Sequence, residues 1–493
     1  MIQQPRSLIL VTVDCLRADH VGFLGYKRPT TPFLDTLARE SFVFSNAIAA
    51  GAPTYYSLPA ILASRYPLAL GRDVLGIAPD EETLPSVLKD YGFQTAAFSA
   101  ANPYISARFG YDQGFECFRD FLESDQPELA ADTRQRGLRA RANRAVASAC
   151  HHVPGLGQIY DELYFEYCQR IGSDGPESLD ALRKFPSADV VVDHAIAWLN
   201  EHAGGPFFLW LHLMDPHAPY YPKPEALEAI GVNSSAQQAR YLNSFWARGE
   251  IGPERLQRKR DEVMALYDAG ISCADMQIRR LSERLVELNL WDSCALAVTA
   301  DHGEEFLDHG GRFHAPVKLT EELVHVPLLL RVSGNTDARR VEAPVGLIDL
   351  APTLLDVLGL PAPASFAGRS RWLQAASGKE WEKPVITECV HGCSNPFFSE
   401  KRIAPRILAV RNQGYKLVLD FASNSEQLFD LTSDPHERSP LDPNKAGDVR
   451  RQLLQHARKH LAESRKSRDF DRRFEAQLRD LRIEWAHSTT SPD

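Results

Sequence analysis

Three apolar runs constrain the fold of this 493-residue chain most strongly. They span residues 7–13 (SLILVTV), 207–213 (FFLWLHL) and 294–300 (CALAVTA), and each has the composition of a strand buried on both faces. Helical patterns lie between them, and this alternation is typical of a parallel sheet covered by helices. We therefore predict an α/β fold built on a large, mostly parallel, doubly wound sheet.

Polar residues follow these predicted strands directly. Asp14 comes after the first run, Asp301 and His302 come after the third, and Asn102 leaves a further strand predicted at 94–100. Ligands of open α/β sheets bind at the carboxyl ends of the strands, so we expect these residues to lie close together. Carboxylates and an imidazole at one edge favour a site for a divalent metal ion.

The segment 51–67 (GAPTYYSLPAILASRYP) predicts a turn followed by a helix. We expect Ser57 to cap that helix, with Pro59 in its first turn, so that Thr54 lies just ahead of the helix N-terminus. Free N–H groups at such an end favour an anion or a developing oxyanion. Thr54 is therefore either a turn residue or a nucleophile that a metal or base activates.

Several segments together resemble the sulfatase-like branch of the alkaline phosphatase superfamily. The resemblance covers most of the chain, and the segments that carry it are 11–47, 51–67, 207–220, 297–314, 318–331, 408–421 and 426–441. It implies an alkaline-phosphatase-type fold with a smaller C-terminal α+β domain. It also implies that Asp14, Asp301 and His302 are metal ligands and that Thr54 is both ligand and nucleophile.

The same resemblance implies which residues meet the substrate. His217, His314 and Lys318 would contact the transferring group or protonate the leaving oxygen, and Asn102 would be a further substrate contact. The expected cofactor is one divalent ion, with Zn²⁺ or Mn²⁺ favoured and Ca²⁺ or Mg²⁺ as alternatives.

Two departures from the sulfatase pattern point away from sulfatase chemistry. Sulfatases carry Cys-x-Pro-x-Arg, with a cysteine or serine that is oxidised to formylglycine, where this chain has Thr54, Tyr56 and Leu58. Cys15 replaces the usual second aspartate. Threonine cannot become formylglycine, so the chain resembles threonine-using phosphoesterases and phosphoethanolamine transferases instead.

These residues predict a hydrolase of phosphate or related esters, including phosphomonoesters, phosphodiesters and phosphonates. Sulfate esters are the main alternative substrate. A phosphoryl transferase that passes its group to an acceptor alcohol is the second hypothesis. A non-catalytic binding protein is the third, because the motif arginine is lost and Cys15 replaces the second aspartate.

The number of metal ions is a separate prediction. Asp215, His217 and His314 could hold a second ion, but Pro216 between the first two predicts a turn there. We therefore expect one catalytic ion, with His217 and His314 as direct contacts of the anion.

Composition limits the partners and the location. The formal net charge of −10 argues against nucleic-acid binding, and no apolar run reaches the ~20 residues of a membrane span. The eight scattered cysteines and the lack of a signal-peptide pattern predict a cytoplasmic protein that acts on a small anionic ester. The sequence leaves a homo-oligomer open.

The domain prediction divides the chain near residue 378. Residues 1–377 would form the catalytic domain, with helical insertions at about 121–185 and 222–254. Residues 378–493 would form a small subdomain with an antiparallel sheet and a helical tail.

Overall fold

The computed structural model describes residues 4–71, 75–122, 178–202, 204–249, 251–314, 318–334, 339–379, 381–393, 404–442 and 446–464. Most of the first predicted insertion, residues 123–177, and the tail beyond residue 464 lie outside the described residues. No helix in the described ranges has the length and apolar character that crossing a membrane requires.

A large sheet forms the centre of the described structure. Its strands are β1 (Ser7–Val13), β2 (Phe42–Ile48), β3 (Gln94–Ser99), β4 (Cys117–Arg119), β5 (Phe207–Leu213), β6 (Cys294–Ala300), β9 (His325–Arg331), β10 (Arg339–Val341) and β11 (Val345–Gly346). They lie in the order β10-β2-β9-β6-β1-β5-β3-β4, with β11 also paired to β2. Every pairing is parallel except those of β9 with β2 and β6. The predicted mostly parallel sheet is confirmed.

Strand β1 lies in the middle of this sheet, and its last residue fixes the position of the site. Val13 pairs with Leu213 of β5 on one side and with Ala300 of β6 on the other. All residues of these three strands are buried, as their apolar sequences predict. The residues that follow β1, β5 and β6 therefore emerge next to one another at the carboxyl edge.

Helices pack against the sheet. They are α1 (Pro32–Leu37), α2 (Thr54–Ala63), α3 (Leu84–Asp90), α4 (Ala188–His202), α5 (Pro224–Ala229), α6 (Ala236–Ala247), α7 (Pro253–Gln257), α8 (Arg260–Glu287), α9 (Glu321–Val324), α10 (Leu350–Val357) and α11 (Trp372–Ser377). Val191 of α4, Leu266 of α8 and Leu354 of α10 are buried in one hydrophobic core with the strands.

A second, antiparallel sheet packs against the start of α2. It consists of β12 (Val385–Val390), β13 (Arg406–Asn412), β14 (Tyr415–Asp420) and β15 (Ser425–Asp430), in that order. Tyr55 and Tyr56 of α2 share a buried cluster with Cys389 and Ile407 of this sheet. A short hairpin, β7 (Glu305–Phe306) with β8 (Arg312–Phe313), follows β6.

The start of α2 differs from the prediction. The helix begins at Thr54 with Pro53 as its N-cap, and Ser57 lies inside the first turn, where its hydroxyl donates to the Thr54 carbonyl (3.2 Å). The prediction that Ser57 caps this helix is therefore wrong. Pro53, in an extended conformation, already turns the chain into the helix, so the serine hydroxyl bonds back within the first turn instead of accepting an amide.

The segment 222–288 is largely helical. The excursion at 222–254 contains the short helices α5, α6 and the start of α7. The long helix α8 follows α7 after a break at residues 258–259.

Candidate active site

Two buried aspartates lie side by side at the carboxyl edge of the sheet. Asp14 follows β1 and Asp301 follows β6, and both are fully buried. The Cys15 amide donates to Asp301 Oδ1 (3.4 Å), which ties the two strand ends together. The sequence prediction brought these two carboxylates to one place, and the parallel pairing of β1 with β6 is the reason.

His302 completes this pair with a ring nitrogen that faces the carboxylates. Its Nδ1 lies 2.8 Å from the Gly303 carbonyl and must donate to it, which leaves the lone pair on Nε2. Nε2 lies 3.5 Å from Asp14 Oδ1 and 3.6 Å from Asp301 Oδ2. An imidazole held in this tautomer is suited to bind a metal ion.

Thr54 brings a hydroxyl to the same point from the N-terminus of α2. Its Oγ1 lies 3.2 Å from His302 Nε2 and 3.5 Å from Asp14 Oδ2, and the side chain is buried. As the first residue of the helix, Thr54 also lies where the unpaired helical N–H groups favour negative charge.

These four side chains fit a divalent metal ion. Asp14, Asp301 and His302 offer ligand atoms that all lie within 4.8 Å of one another. Donor atoms bound tetrahedrally at zinc-like bond lengths lie roughly 3.3–3.7 Å apart, and the measured separations of 3.2–3.6 Å are close to that spacing. Asp301 Oδ2 is buried and has no hydrogen-bond partner among the described residues, so a cation would satisfy it.

The two aspartates have pKa values shifted in opposite directions. Burial by itself would raise the pKa of Asp14, but the neighbouring His217, His212 and His302 outweigh it and hold this pKa well below its usual range. The pKa of Asp301 is raised by burial and by the charge of Asp14. A divalent cation between the two carboxylates would favour the ionised form of both.

Asn102 and His212 hold the Asp14 carboxylate from the other side. Asn102 Nδ2 donates to Asp14 Oδ2 (2.9 Å), and His212 Nε2 lies 3.3 Å from the same oxygen. The Thr12 hydroxyl lies 2.9 Å from His212 Nδ1, so this imidazole is hydrogen-bonded at both nitrogens. Asn102, predicted as a substrate contact, is in this structure a hydrogen-bond partner of the Asp14 carboxylate.

His217 and His314 lie together beside the metal-site residues. Their ring centroids are 5.0 Å apart, and the His314 ring is 4.8 Å from that of His302. Burial lowers the pKa of His217. For His314 burial also opposes the charge, but the nearby Glu304 carboxylate outweighs it and raises the pKa.

Two residues considered from the sequence are engaged elsewhere. The Lys318 ammonium donates to both carboxylate oxygens of Glu305 (2.8 Å each) and to the His309 carbonyl (3.0 Å). Asp215 accepts from Arg183 Nη1 (3.0 Å) and from the Ala188 amide (2.9 Å). Asp215 is thus held by α4 and its preceding loop, and no described contact joins either side chain to Asp14 or Thr54.

Sequence reasoning missed three residues that face the site. Cys15 Sγ donates to Asp14 Oδ1 (3.1 Å), His212 supports Asp14, and Glu304 lies 3.5 Å from His314 Nδ1. A signal existed for each of them. Cys15 and Glu304 lie within two residues of a predicted ligand, and His212 is the one basic residue in an otherwise apolar strand.

Two family models match this chain. The sulfatase model matches residues 6–360, and the model of the N-sulphoglucosamine sulphohydrolase C-terminal region matches residues 312–466. The first match contains Asp14, Thr54, Asp301 and His302. The second begins at the hairpin that follows them.

This chain is also similar to individual proteins. The multifunctional alkaline phosphatase superfamily protein PehA of Trinickia caryophylli is 25% identical over 502 residues, which cover 90% of this chain and 93% of that protein. Arylsulfatase K of Mus musculus is 28% identical over 476 residues, or 88% and 76% of the two chains. The crystal structure of the phosphonate monoester hydrolase of Agrobacterium radiobacter superposes with a TM-score of 0.64 at 19% identity, covering 94% of this chain and 96% of the other.

Proposed function

This chain belongs to the sulfatase family, and we propose that it is a metal-dependent hydrolase of phosphate or related esters whose nucleophile is Thr54. Hydrolysis of an ester bond is the activity of the family. The proposal adds that the substrates are esters of phosphorus and that Thr54 is the nucleophile. The position of the Thr54 hydroxyl, 3.2 Å from His302 Nε2 and 3.5 Å from Asp14 Oδ2, is the observation that carries it.

The identity of residue 54 favours phosphorus over sulfur as the reacting centre. A formylglycine hydrate releases sulfate when its geminal diol collapses, and threonine has no such diol. A threonyl ester must instead be opened by attack of water on the central atom. Phosphoryl transfer proceeds by this in-line attack when charge and position are controlled.

The metal site would supply charge neutralisation. An ion held by Asp14, Thr54, Asp301 and His302 would lower the pKa of the Thr54 hydroxyl and stabilise negative charge on the transferring group. The resemblance to the family favours Zn²⁺ or Mn²⁺ here.

The chain's own residues then carry out two displacements. In the first, the Thr54 hydroxyl loses its proton to solvent, its Oγ bonds to phosphorus, the bond to the leaving oxygen breaks, and the departing alcohol takes a proton. His314 is suited to give that proton because Glu304 raises its pKa. In the second, water attacks phosphorus, the Thr54 ester breaks, and Thr54 regains a proton.

His217 is suited to the second displacement. Its Nδ1 must donate to the Ala218 carbonyl, so neutral His217 presents a lone pair on Nε2. That lone pair can accept a proton from the attacking water. Lys318 is kept as a weaker candidate for contact with the anion, since Glu305 occupies its ammonium.

A substrate panel tests the proposed specificity. The full-length protein, loaded with Zn²⁺ or Mn²⁺, is assayed on an aryl phosphate monoester, a phosphodiester, a phosphonate monoester and an aryl sulfate. We expect a phosphorus ester to have the highest kcat/KM, and Thr54→Ala to lower it by on the order of 10³-fold or more. Ser57→Ala, which removes a hydroxyl three residues away in the same helix turn, is the matched control and should keep most of the activity.

Sulfate esters are the second candidate substrate. The match to the N-sulphoglucosamine sulphohydrolase C-terminal model and the similarity to arylsulfatase K favour them. A higher kcat/KM on the aryl sulfate would replace the phosphoryl proposal with this one. Adding acceptor alcohols to the same assay tests the transferase alternative, because transfer yields a new ester in place of free phosphate.

A further inference from the structure

We propose that an open groove beside the candidate site binds the leaving alcohol of the substrate, and that this alcohol is an aryl group with a negative charge. The groove has a volume of about 1040 Å³, and its lining includes Phe118, Arg119, Phe121, Lys184 and Phe185. The inference rests on the proposed function, because it names the alcohol part of the ester that Thr54 would attack.

The groove opens at the carboxyl edge of the large sheet, next to the residues of the candidate site. Ala101 lines it just beyond the end of β3, and the next residue is Asn102, whose Nδ2 donates to Asp14 Oδ2 (2.9 Å). The Phe185 ring meets the His217 ring edge to face, with the ring centroids 6.0 Å apart. Open α/β sheets bind their ligands at this edge. The groove therefore adjoins the place where the ester would react.

The proposed mechanism places the leaving alcohol on the side of the groove. In an in-line reaction the alcohol departs opposite Thr54 Oγ, and the water that later opens the threonyl ester attacks from that same position. His217, which would take the proton of that water, therefore lies on the side where the alcohol leaves. Because Phe185 lies next to His217, the alcohol would extend into the groove.

Three phenylalanine rings form an apolar wall of the groove. Phe118, Phe121 and Phe185 are half-buried and pack on the main hydrophobic core. Neighbouring rings hold two of them in place, since Phe118 lies 6.1 Å from Phe115 and Phe121 lies 5.0 Å from His194, measured between ring centroids. Rings that are fixed in this way and still partly exposed can pack edge to face or offset against an aryl group. The wall therefore favours an aryl alcohol over a small aliphatic one.

Two basic side chains give the groove its charge. Arg119 and Lys184 are exposed, and within the described ranges no carboxylate forms an ion pair with either of them. The Arg119 guanidinium lies over the Phe121 ring instead, 4.7 Å from its centroid. Asp120 also lines the groove, but its Oδ1 accepts from the Leu122 amide (3.1 Å). In a chain with a formal net charge of −10, two cations without acidic partners favour an anion at this place.

The remaining charged side chains of the described lining are already paired. Lys223 lies 2.5 Å from Asp189, and Arg183 lies 3.0 Å from Asp215 and 3.5 Å from Asp180. The two exposed cations named above are therefore the groups that a negatively charged alcohol would meet.

A matched pair of substrates tests the charge of the alcohol. 4-Carboxyphenyl phosphate and 4-carbamoylphenyl phosphate have nearly the same shape, but only the first has a negative charge on its aryl group. The metal-loaded full-length protein is assayed on both. We expect the ratio of their kcat/KM values, charged over neutral, to be about 2- to 5-fold lower in Lys184→Gln and in Arg119→Gln than in the wild type, because an exposed charge pair contributes this much.

The comparison of ratios cancels the intrinsic reactivity of the two phenols. Lys89→Gln, which removes an exposed lysine of α3 outside the groove, is the matched control and should keep the wild-type ratio. High salt should lower the wild-type ratio toward that of Lys184→Gln, since salt screens exposed charges.

Binding of the free phenol gives a readout that does not depend on turnover. 4-Hydroxybenzoate is titrated into the metal-loaded protein and followed by saturation transfer to its ring protons in NMR spectra. We expect its dissociation constant to rise by about 2-fold or more in Lys184→Gln and in Phe121→Leu, which keeps an apolar side chain but removes the ring. Lys89→Gln should bind it as the wild type does.

The two readouts separate the groove from the phosphoryl proposal. Phosphorus esters that are hydrolysed with the same charged-over-neutral ratio in the wild type, Lys184→Gln and Arg119→Gln would overturn the groove assignment and leave the proposed function standing. A wild type that hydrolyses no phosphorus ester, but whose binding of 4-hydroxybenzoate still weakens in Lys184→Gln and Phe121→Leu, would overturn the proposed function and support the groove as a site for aryl anions. Equal binding in all variants would overturn the groove assignment.

Discussion

In the proposed mechanism, the chemistry depends on residues that follow neighbouring strands at one edge of the sheet. Asp14 and Asp301 are equivalent in position, since each directly follows a central strand. His302 places its Nε2 beside both carboxylates. Aspartate and histidine are common at the ends of strands. Two buried aspartates that form no ion pair with a described lysine or arginine are uncommon. The cost of burying these carboxylates is the physical reason to expect a metal ion.

Asp301→Asn tests this reasoning at the level of one residue. This substitution removes one negative charge and keeps the shape of the side chain. It should lower the affinity for the metal ion by 10-fold or more, because a neutral amide is a poorer ligand for a divalent cation. Metal titration followed by isothermal calorimetry measures the change. Asp215→Asn is the matched control, since Asp215 is also buried at a strand end but pairs with Arg183. Equal metal affinity in Asp301→Asn and the wild type would exclude Asp301 as a ligand.

Most residues of the site could be predicted because they follow strands whose burial is visible in the sequence. Asp14, Thr54, Asp301 and His302 converge as expected. Side-chain direction could not be predicted. Lys318 turns to Glu305 and Asp215 turns to Arg183, because partners distant in sequence decide the lowest-energy rotamer. For the same reason, the contacts of Cys15 with Asp14 and of Glu304 with His314 could not be predicted from the sequence.

At the scale of elements, helix α2, which begins at Thr54, is held by tight backbone packing at its entry. A Cβ on Gly51 would lie 2.6 Å from Tyr56 Cβ and 2.7 Å from the Glu388 carbonyl. The helix is also held further along, where the Tyr55 hydroxyl donates to the Cys393 carbonyl (2.7 Å). Strand β12 of the second sheet and the residues that follow it therefore help to fix the position of Thr54.

Gly51→Ala should displace the start of α2 and lower kcat by at least about 10-fold, since small misplacements of a reacting group cost large factors in rate. Overpacking of this kind also costs roughly 1–3 kcal/mol of stability. Steady-state kinetics and thermal unfolding measure the two effects. Gly205→Ala, at a glycine with open space around its Cβ position, should change neither. Full activity in Gly51→Ala would show that the loop tolerates the shift.

Element boundaries were predicted where the apolar pattern is unbroken. Strands β1, β5 and β6 have the predicted ends. The predictions were less accurate where proline and serine compete for a helix start, as at Pro53 and Ser57. There the local sequence favours Ser57 as the N-cap, whereas the packed structure has Pro53 in that position.

At the scale of the whole molecule, a polar network joins the loop after the metal site to the second sheet. Lys416 of β14 pairs with Glu321 (3.0 Å) and Glu437 (2.8 Å), and His309 lies 2.8 Å from Glu322 Oε1 and 3.3 Å from the Glu437 carbonyl. We propose that the smaller domain begins near residue 378 and that this network fixes it against the catalytic sheet.

The His309 contacts predict a pH dependence of stability. The hydrogen bond to Glu322 raises the pKa of His309 to about 9 in the folded chain. Its contribution is therefore complete below the unfolded pKa of ~6.5 and is lost as the pH rises through about 9. After allowance for solvent screening it amounts to about 1–2 kcal/mol.

Thermal unfolding of His309→Gln and the wild type at pH 6 and pH 10 measures this contribution. The melting temperatures should differ at pH 6 and converge at pH 10. His194→Gln is the control, because the Nδ1 of this half-buried histidine lies 2.9 Å from the Val190 carbonyl and not from a carboxylate. A difference for His309→Gln that stays the same at both values of pH would contradict the assignment.

The covalent state of Thr54 during turnover tests the central claim most directly. The metal-loaded protein is mixed with its best aryl phosphate or phosphonate substrate, quenched in acid within one turnover, digested and analysed by mass spectrometry. A phosphoryl or phosphonyl group on Thr54, absent from Thr54→Ala and from enzyme quenched before substrate is added, is the predicted result. Single-turnover release of product with Thr54 unmodified at every quench time, or undiminished turnover by Thr54→Ala, would contradict the account.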